Sequence, residues 1–198
     1  MSRVHGNTHT IQTAVDRAAK IVFALKSYTR FDRTGEKQLV SIVSGIDTVL
    51  ELYHNQLKHG IEVIRYYGKV PEFWGYPDEL MQVWTNLIHN AIQAMDSKGT
   101  LEIITIVENE RAIVQIIDSG SGIPPEVQAK IFDPFFTTKP AGEGSGLGLS
   151  ISHTIVEKHS GKIEVNSRPG RTNFIVSIPI VEVPANPPVS TKSLTAVN

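Results

Sequence analysis

Asp118-Ser119-Gly120-Ser121-Gly122-Ile123 is the stretch around which this 198-residue chain is organised. An acidic side chain followed by two glycines can end a strand and let the backbone approach a flat ligand, because glycine has no Cβ to stand in the way. The same pattern also describes an ordinary surface turn, so its meaning rests on what flanks it. Immediately upstream, 101–107 and 112–117 are apolar stretches around Glu108-Asn109-Glu110, which predicts a hairpin whose second strand ends at Asp118. Downstream, 120–148 is crowded with Gly, Pro, Ser and Thr and interrupted by Ile131-Phe132-Asp133-Pro134-Phe135-Phe136. A stretch this long with little regular structure reads as a functional lid rather than a passive linker.

Further upstream, Leu80, Val83, Trp84, Leu87, Ile88 and Ile92 trace one face of a long helix over 79–95, with Asp78 as its cap. Strands are expected at 39–43 and 61–66, and a helix over 46–57 closed by Gly60. The Pro-bounded segment 71–77 reads as a turn-rich connection. A helix restarts near 149 and runs to 159, followed by strands at 163–166 and 173–178. At the N-terminal end, Ile11, Ala14, Val15, Ala18, Ile21, Val22, Leu25 and Tyr28 recur at helical spacing, with Ile11, Ala18 and Leu25 seven apart, as in bundle or coiled-coil helices. The expected organisation is a disordered 1–10, a stalk helix in 11–34, an α/β domain over 35–182, and a proline-containing linker or disordered tail over 183–198.

With 40% hydrophobic and 20% charged residues the composition is that of a globular protein, long enough to bury a real core. A net charge of −1 provides no global field to recruit nucleic acid or anionic membrane. The lack of cysteine rules out disulfides and thiolate metal sites and fits a reducing, cytoplasmic setting. No apolar run is long enough to span a bilayer, and the first residues carry no signal-peptide core.

Three groups flank the glycine pair with chemistry suited to a nucleotide. Asn86 and Asn90 are four apart on the long helix, so both amides leave one side. An amide oxygen is a hard ligand of the kind Mg²⁺ accepts alongside phosphate and water, although paired amides also occur on solvent faces. Gly142, Gly144, Gly146 and Gly148 alternate and then open a helix, where bare N–H groups suit a polyphosphate. The spacing is neither that of a Walker A loop nor that of a dinucleotide fingerprint. Lys139, after Thr137-Thr138, offers a cation to a terminal phosphate. Phe132, Phe135 and Phe136 are expected to anchor the lid in the core rather than to shelter the ligand.

In order, Asn86-Leu87-Ile88-His89-Asn90, Asp118 to Ile123, Ile131 to Lys139, and Gly144-Ser145-Gly146-Leu147-Gly148-Leu149 resemble the N, G1, F and G2 boxes of the catalytic domain of sensor histidine kinases. Asn90-Ala91-Ile92-Gln93-Ala94-Met95 and Phe135-Phe136-Thr137-Thr138-Lys139 look most like the nitrogen-regulatory subclass. The resemblance implies a two-layer α/β sandwich, a mixed sheet with helices on one face, binding ATP and Mg²⁺. It assigns Asn90 to the metal, Asn86 to the phosphate and metal region, and Asp118 to the adenine amino group. Gly120 and Gly122 shape the adenine side, Gly144, Gly146, Leu147 and Gly148 belong to the phosphate loop, and Thr172 matches a further position near adenine. Related gyrase-type ATPases carry a water-activating glutamate where this chain has Asn86, and an amide cannot serve as that base. Many histidine kinases place a lysine where Gln93 stands, which leaves Lys139 as the clearer phosphate cation.

Such kinases need an acceptor histidine in an H box, and none of the seven histidines fits one. The helix in 11–34 instead resembles the second helix of a dimerisation hairpin. The chain is therefore expected to be a portion that follows the acceptor, working with a histidine-bearing dimerisation helix and a response regulator receiver domain, in a homodimeric full-length protein whose membrane anchor, if it has one, lies upstream. An anti-sigma-type serine kinase and a non-catalytic ATP-sensing scaffold are the other readings of the same pocket.

Overall fold

The computed structural model describes residues 36–96, 98–140 and 144–180. The expected stalk helix, the N-terminal segment, the tail after 182 and Gly142 lie outside these. Within them, the elements are β1 (Gln38–Val40), α1 (Ile42–Leu52), α2 (His54–Leu57), β2 (Ile61–Tyr67), β3 (Phe73–Gly75), α3 (Pro77–Ala94), β4 (Gly99–Glu108), β5 (Arg111–Asp118), α4 (Pro125–Gln128), α5 (Gly148–Lys158), β6 (Lys162–Arg168) and β7 (Arg171–Pro179).

Five strands form one mixed sheet in the order β2-β4-β5-β7-β6. β2 runs parallel to β4, and every other pairing is antiparallel. The parallel pair needs a crossover, and α3 provides it. Alternation sets the faces: Leu101, Ile103, Val114, Ile116, Phe174, Val176 and Ile178 are buried on one side, where Leu80, Val83, Trp84, Leu87 and Ile88 of α3 meet them in the core. α1 and α5 flank α3 on that same side. The architecture is thus the two-layer α/β sandwich read from the sequence.

The hairpin falls at Asn109 and Glu110, both left-handed at φ 49° and 60°. Three boundaries differ from expectation. The run at 39–43 is not one strand, because Ser41 ends β1 and then caps α1, its hydroxyl accepting the Ser44 N–H at 3.3 Å. The helix expected over 46–57 accordingly begins at Ile42 and breaks at Tyr53 before one further turn. α3 starts at Pro77 with Tyr76 in the cap position and no side-chain cap bond; Asp78 and Glu79 sit inside its first turn, where their charge suits the helix dipole. The connection at 71–77 also holds a short strand, β3, paired with β1. At its far end α5 is pinned to that connection by His159, whose Nε2 accepts the Tyr76 N–H at 3.1 Å while Nδ1 meets the Ile155 carbonyl at 2.8 Å.

Candidate functional site

β5 carries Asp118 into a cavity of about 720 Å³ between α3, the sheet end and the lid. The Asp118 side chain is buried, with the residue 3% exposed, and Oδ1 accepts the Gly120 N–H at 2.9 Å. Burial pushes its carboxyl up from the usual 3.8 to about 6, against the smaller downward pull of that hydrogen bond. Opposite Asp118 in register on β7 is Thr172, whose hydroxyl lies 2.8 Å from that of Ser167. Ser167 Oγ also accepts the Ile123 N–H at 2.8 Å, tying the turn after the glycines to β6.

Two glycines explain how the chain threads this corner. Gly122 has φ +82°, and a Cβ there would stand 2.5 Å from the Arg168 carbonyl oxygen. At Gly120 a Cβ would meet the Ala94 carbonyl oxygen at 2.6 Å, so the strand-to-lid turn is pressed against the end of α3.

At the other end of the cavity α3 presents Asn86, Asn90 and Gln93. The two asparagines do share one side, but their partners differ. Asn86 Nδ2 donates to the Gly148 carbonyl at 2.8 Å and to Ser152 Oγ at 3.1 Å, and so clamps the first turn of α5 to α3. Asn90 Oδ1 instead accepts from the Lys139 ammonium at 3.3 Å, and Gln93 Oε1 accepts from it as well. The lid thus reaches back to α3 through its lysine.

Gly144, Gly146 and Gly148 line the cavity between Lys139 and α5. Gly146, at φ +67°, packs so closely on Phe135 that a Cβ would fall 2.3 Å from its carbonyl carbon. Gly120 and Leu147 stand behind the cavity wall: Gly120 is wedged under α3, and Leu147 is a core residue whose N–H goes to Ser145 Oγ at 3.3 Å. The aromatic knot splits. Phe132 and Phe136 pack on the core, and Phe136 also lines the cavity. Phe135, expected as an anchor, is 70% exposed, because its left-handed backbone at φ 66° turns the side chain away from the core.

Gln93 and His89 also line the cavity, and the sequence motifs do not single them out as site residues. The register of α3 is enough to find them, since they fall within one turn of Asn90. Among the described residues no group of three or more His, Cys, Asp or Glu side chains is placed to hold a metal by itself. The donors fit a divalent ion that arrives with phosphate oxygens: Asn90 offers a neutral oxygen that already holds a cation, the Lys139 ammonium.

Residues 75–182 match the family described as "Histidine kinase-, DNA gyrase B-, and HSP90-like ATPase". The chain is 31% identical over 185 residues to the sensory histidine kinase/phosphatase NtrB of Proteus hauseri, covering 87% of this chain and 53% of that protein. It is 34% identical over 183 residues to sporulation kinase A of Bacillus subtilis, covering 89% of this chain and 30% of that one. It spans about half the length of the NtrB relative. Among solved structures, the nucleotide-free catalytic domain of histidine kinase ThkA superposes with a TM-score of 0.68 at 33% identity, over 74% of this chain and 97% of that one. A mycobacterial sensor histidine kinase, MprB, gives a TM-score of 0.65 at 27% identity, over 73% and 97%. No helix among the described residues is long and apolar enough to cross a membrane.

Proposed function

Because the chain belongs to the histidine kinase-, DNA gyrase B- and HSP90-like ATPase family, we propose that it is the ATP-binding, phosphoryl-donating part of a two-component sensor histidine kinase. The observation that carries this reading is one cavity with a buried carboxylate at one end and a lid-borne ammonium among helix amides at the other. That polarity suits a nucleotide laid from base to triphosphate.

Asp118, once ionised, accepts the adenine amino group, with Thr172 beside it and Gly120 and Gly122 holding the turn close. Gly144, Gly146 and Gly148 leave their N–H groups open to phosphate at the start of α5. Leu147 fixes that loop to the core. Asn90, with Asn86 nearby, would hold Mg²⁺, and the ion would supply neutralisation of phosphate charge. Lys139 meets the terminal phosphate. A histidine nitrogen from the dimerisation helix attacks the γ-phosphorus, the bond to the bridging oxygen breaks, and ADP leaves. Positioning and charge stabilisation supply most of the acceleration in such transfers.

Hydrolysis is disfavoured at the same place. Asn86 spends its Nδ2 on Gly148 and Ser152, and an amide has no basic site with which to take a proton from water. The phosphohistidine so formed passes to a response regulator receiver domain, and the full-length kinase acts as a homodimer in the cytoplasm.

Incubation with γ-labelled ATP, Mg²⁺ and a supplied hairpin bearing the acceptor histidine tests the proposal. Acid-labile label on the hairpin is expected. Tight ATP binding without label on the hairpin refutes the kinase reading in favour of a nucleotide-sensing scaffold.

A further inference from the structure

Lys139 is placed by contacts along its whole length. Its backbone N–H donates to Thr137 Oγ1 at 3.1 Å, which closes a tight turn at the root of the side chain. Its stem lies against Gly144, where a Cβ would stand 3.3 Å from Lys139 Cδ and 2.7 Å from Thr137 Oγ1. Its ammonium ends on two amide oxygens of α3, Asn90 Oδ1 and Gln93 Oε1. The two acceptors lie three residues apart, neighbours on the helix surface.

The chemistry of those acceptors matters. An amide oxygen holds an ammonium by its dipole without neutralising it, whereas a carboxylate in the same place would hold it more tightly and cancel its charge. The two amides also differ in what else they do. In the proposed function Asn90 is the metal's oxygen, so an ammonium resting on it must give way when metal and nucleotide enter. Gln93 has no such second duty.

Building on the reading of this cavity as an ATP site, we propose that Gln93 is a positioning residue. It retains the Lys139 ammonium at the phosphate end of the cavity when Asn90 passes from lysine to metal, and without nucleotide it latches the lid to α3. The charge that reaches the terminal phosphate is therefore carried by the lid and aimed by the helix.

Gln93 is exposed on a helix, so Gln93→Ala leaves the core untouched and slightly raises helix propensity. The first measurement needs no nucleotide: brief acetylation of lysine amines on the whole chain, read by mass spectrometry at Lys139 against the exposed Lys69. The second is ATP·Mg²⁺ affinity by calorimetry. In Gln93→Ala, Lys139 labelling is expected to rise about threefold or more and affinity to fall roughly tenfold, the scale of one charge-assisted hydrogen bond. Gln93→Glu separates holding from charge: Lys139 stays protected while affinity still falls. Unchanged Lys139 labelling in Gln93→Ala overturns the proposal, as does unchanged ATP affinity in that variant. The labelling decides on Gln93 even if the unaltered chain binds no ATP, a result that would instead overturn the proposed function.

Discussion

Replacing Asp118 by Asn is expected to make the nucleotide-free protein more stable while weakening its hold on ATP. The carboxyl sits in a site that disfavours its ionised form, with its pKa raised from 3.8 to about 6. In the unfolded chain it loses its proton near the lower value; in the folded chain it keeps it until the higher one. Folding stability therefore falls as pH rises through that window, and above it the full penalty is present. At ~1.4 kcal/mol for each tenfold step in an ionisation constant, the gap amounts to about 3 kcal/mol. The substituted carboxamide cannot ionise, yet its oxygen can still accept the Gly120 N–H. The variant should exceed the unaltered chain by about 3 kcal/mol at pH 8, with the difference closing toward pH 4. His159 contributes with the opposite sign, since burial lowers its pKa below the usual 6.5 and protonation of Nε2 costs it the Tyr76 N–H. The informative quantity is thus the difference between the two proteins, from urea unfolding without nucleotide at several pH values. A difference that does not vary with pH, or an unaltered chain more stable at pH 8, refutes the account of a strained, buried carboxylate. Calorimetry completes the test, because ATP affinity should fall roughly a hundredfold in the variant at pH 8, the loss of a buried charge-assisted hydrogen bond.

The remaining expectations probe other corners of the site. ATP affinity of the unaltered chain should decline as pH drops through about 6, where Asp118 takes up its proton, and Asp118→Asn should lack that inflection. Asn86→Asp removes the donor to Gly148 and Ser152 and should lower stability by about 2 kcal/mol in urea titrations, since the Gly148 carbonyl keeps only the Ser152 hydroxyl as a side-chain donor and meets a carboxylate oxygen where an N–H stood. Gly146→Ala sets a methyl against the Phe135 backbone at a left-handed position and should abolish measurable nucleotide binding while leaving the far-ultraviolet spectrum of the sheet intact. Glu110→Gly, in a hairpin turn with φ +60°, should raise stability by up to about 1 kcal/mol, read as a higher thermal midpoint.

What the sequence disclosed and what it withheld follow from the range of the interactions. The hairpin at Asn109-Glu110, the apolar face of α3 and the glycine-rich run before α5 are local patterns, and each element formed where its period indicated. Leu39 to Val43 misled because a run of branched apolar residues suits a strand, and only the capping hydroxyl of Ser41 divides it. Tyr76 rather than Asp78 starts α3 because Pro77 suits the first helical position. The partners of Asn86 are 62 and 66 residues away along the chain, and Gln93 meets a lysine 46 residues on. No periodicity reports such pairings. Phe135 departs from expectation for a related reason: its backbone is held by Gly146, across the lid, and not by its aromatic neighbours.

The crossover position of α3 has a consequence for how the pocket breathes. The helix follows β3, which pairs with β1, and leads into β4, which pairs with β2 along their whole shared length, so it is secured at both ends by strand pairing. Opening it requires giving up that ladder and the core beneath it, a cost near that of global unfolding. The segment from Ile123 to Lys139 joins the core through Ile131, Phe132 and Phe136 and otherwise rests on contacts to β6, α3 and α5, so it is expected to open at a smaller cost. The two walls of one pocket therefore belong to different cooperative units. Amide exchange in the absence of ligand should divide them by orders of magnitude, and ligand binding should slow exchange chiefly on the lid side. On that expectation Asp118 and the α3 amides stay rigid while one wall alone responds to a ligand.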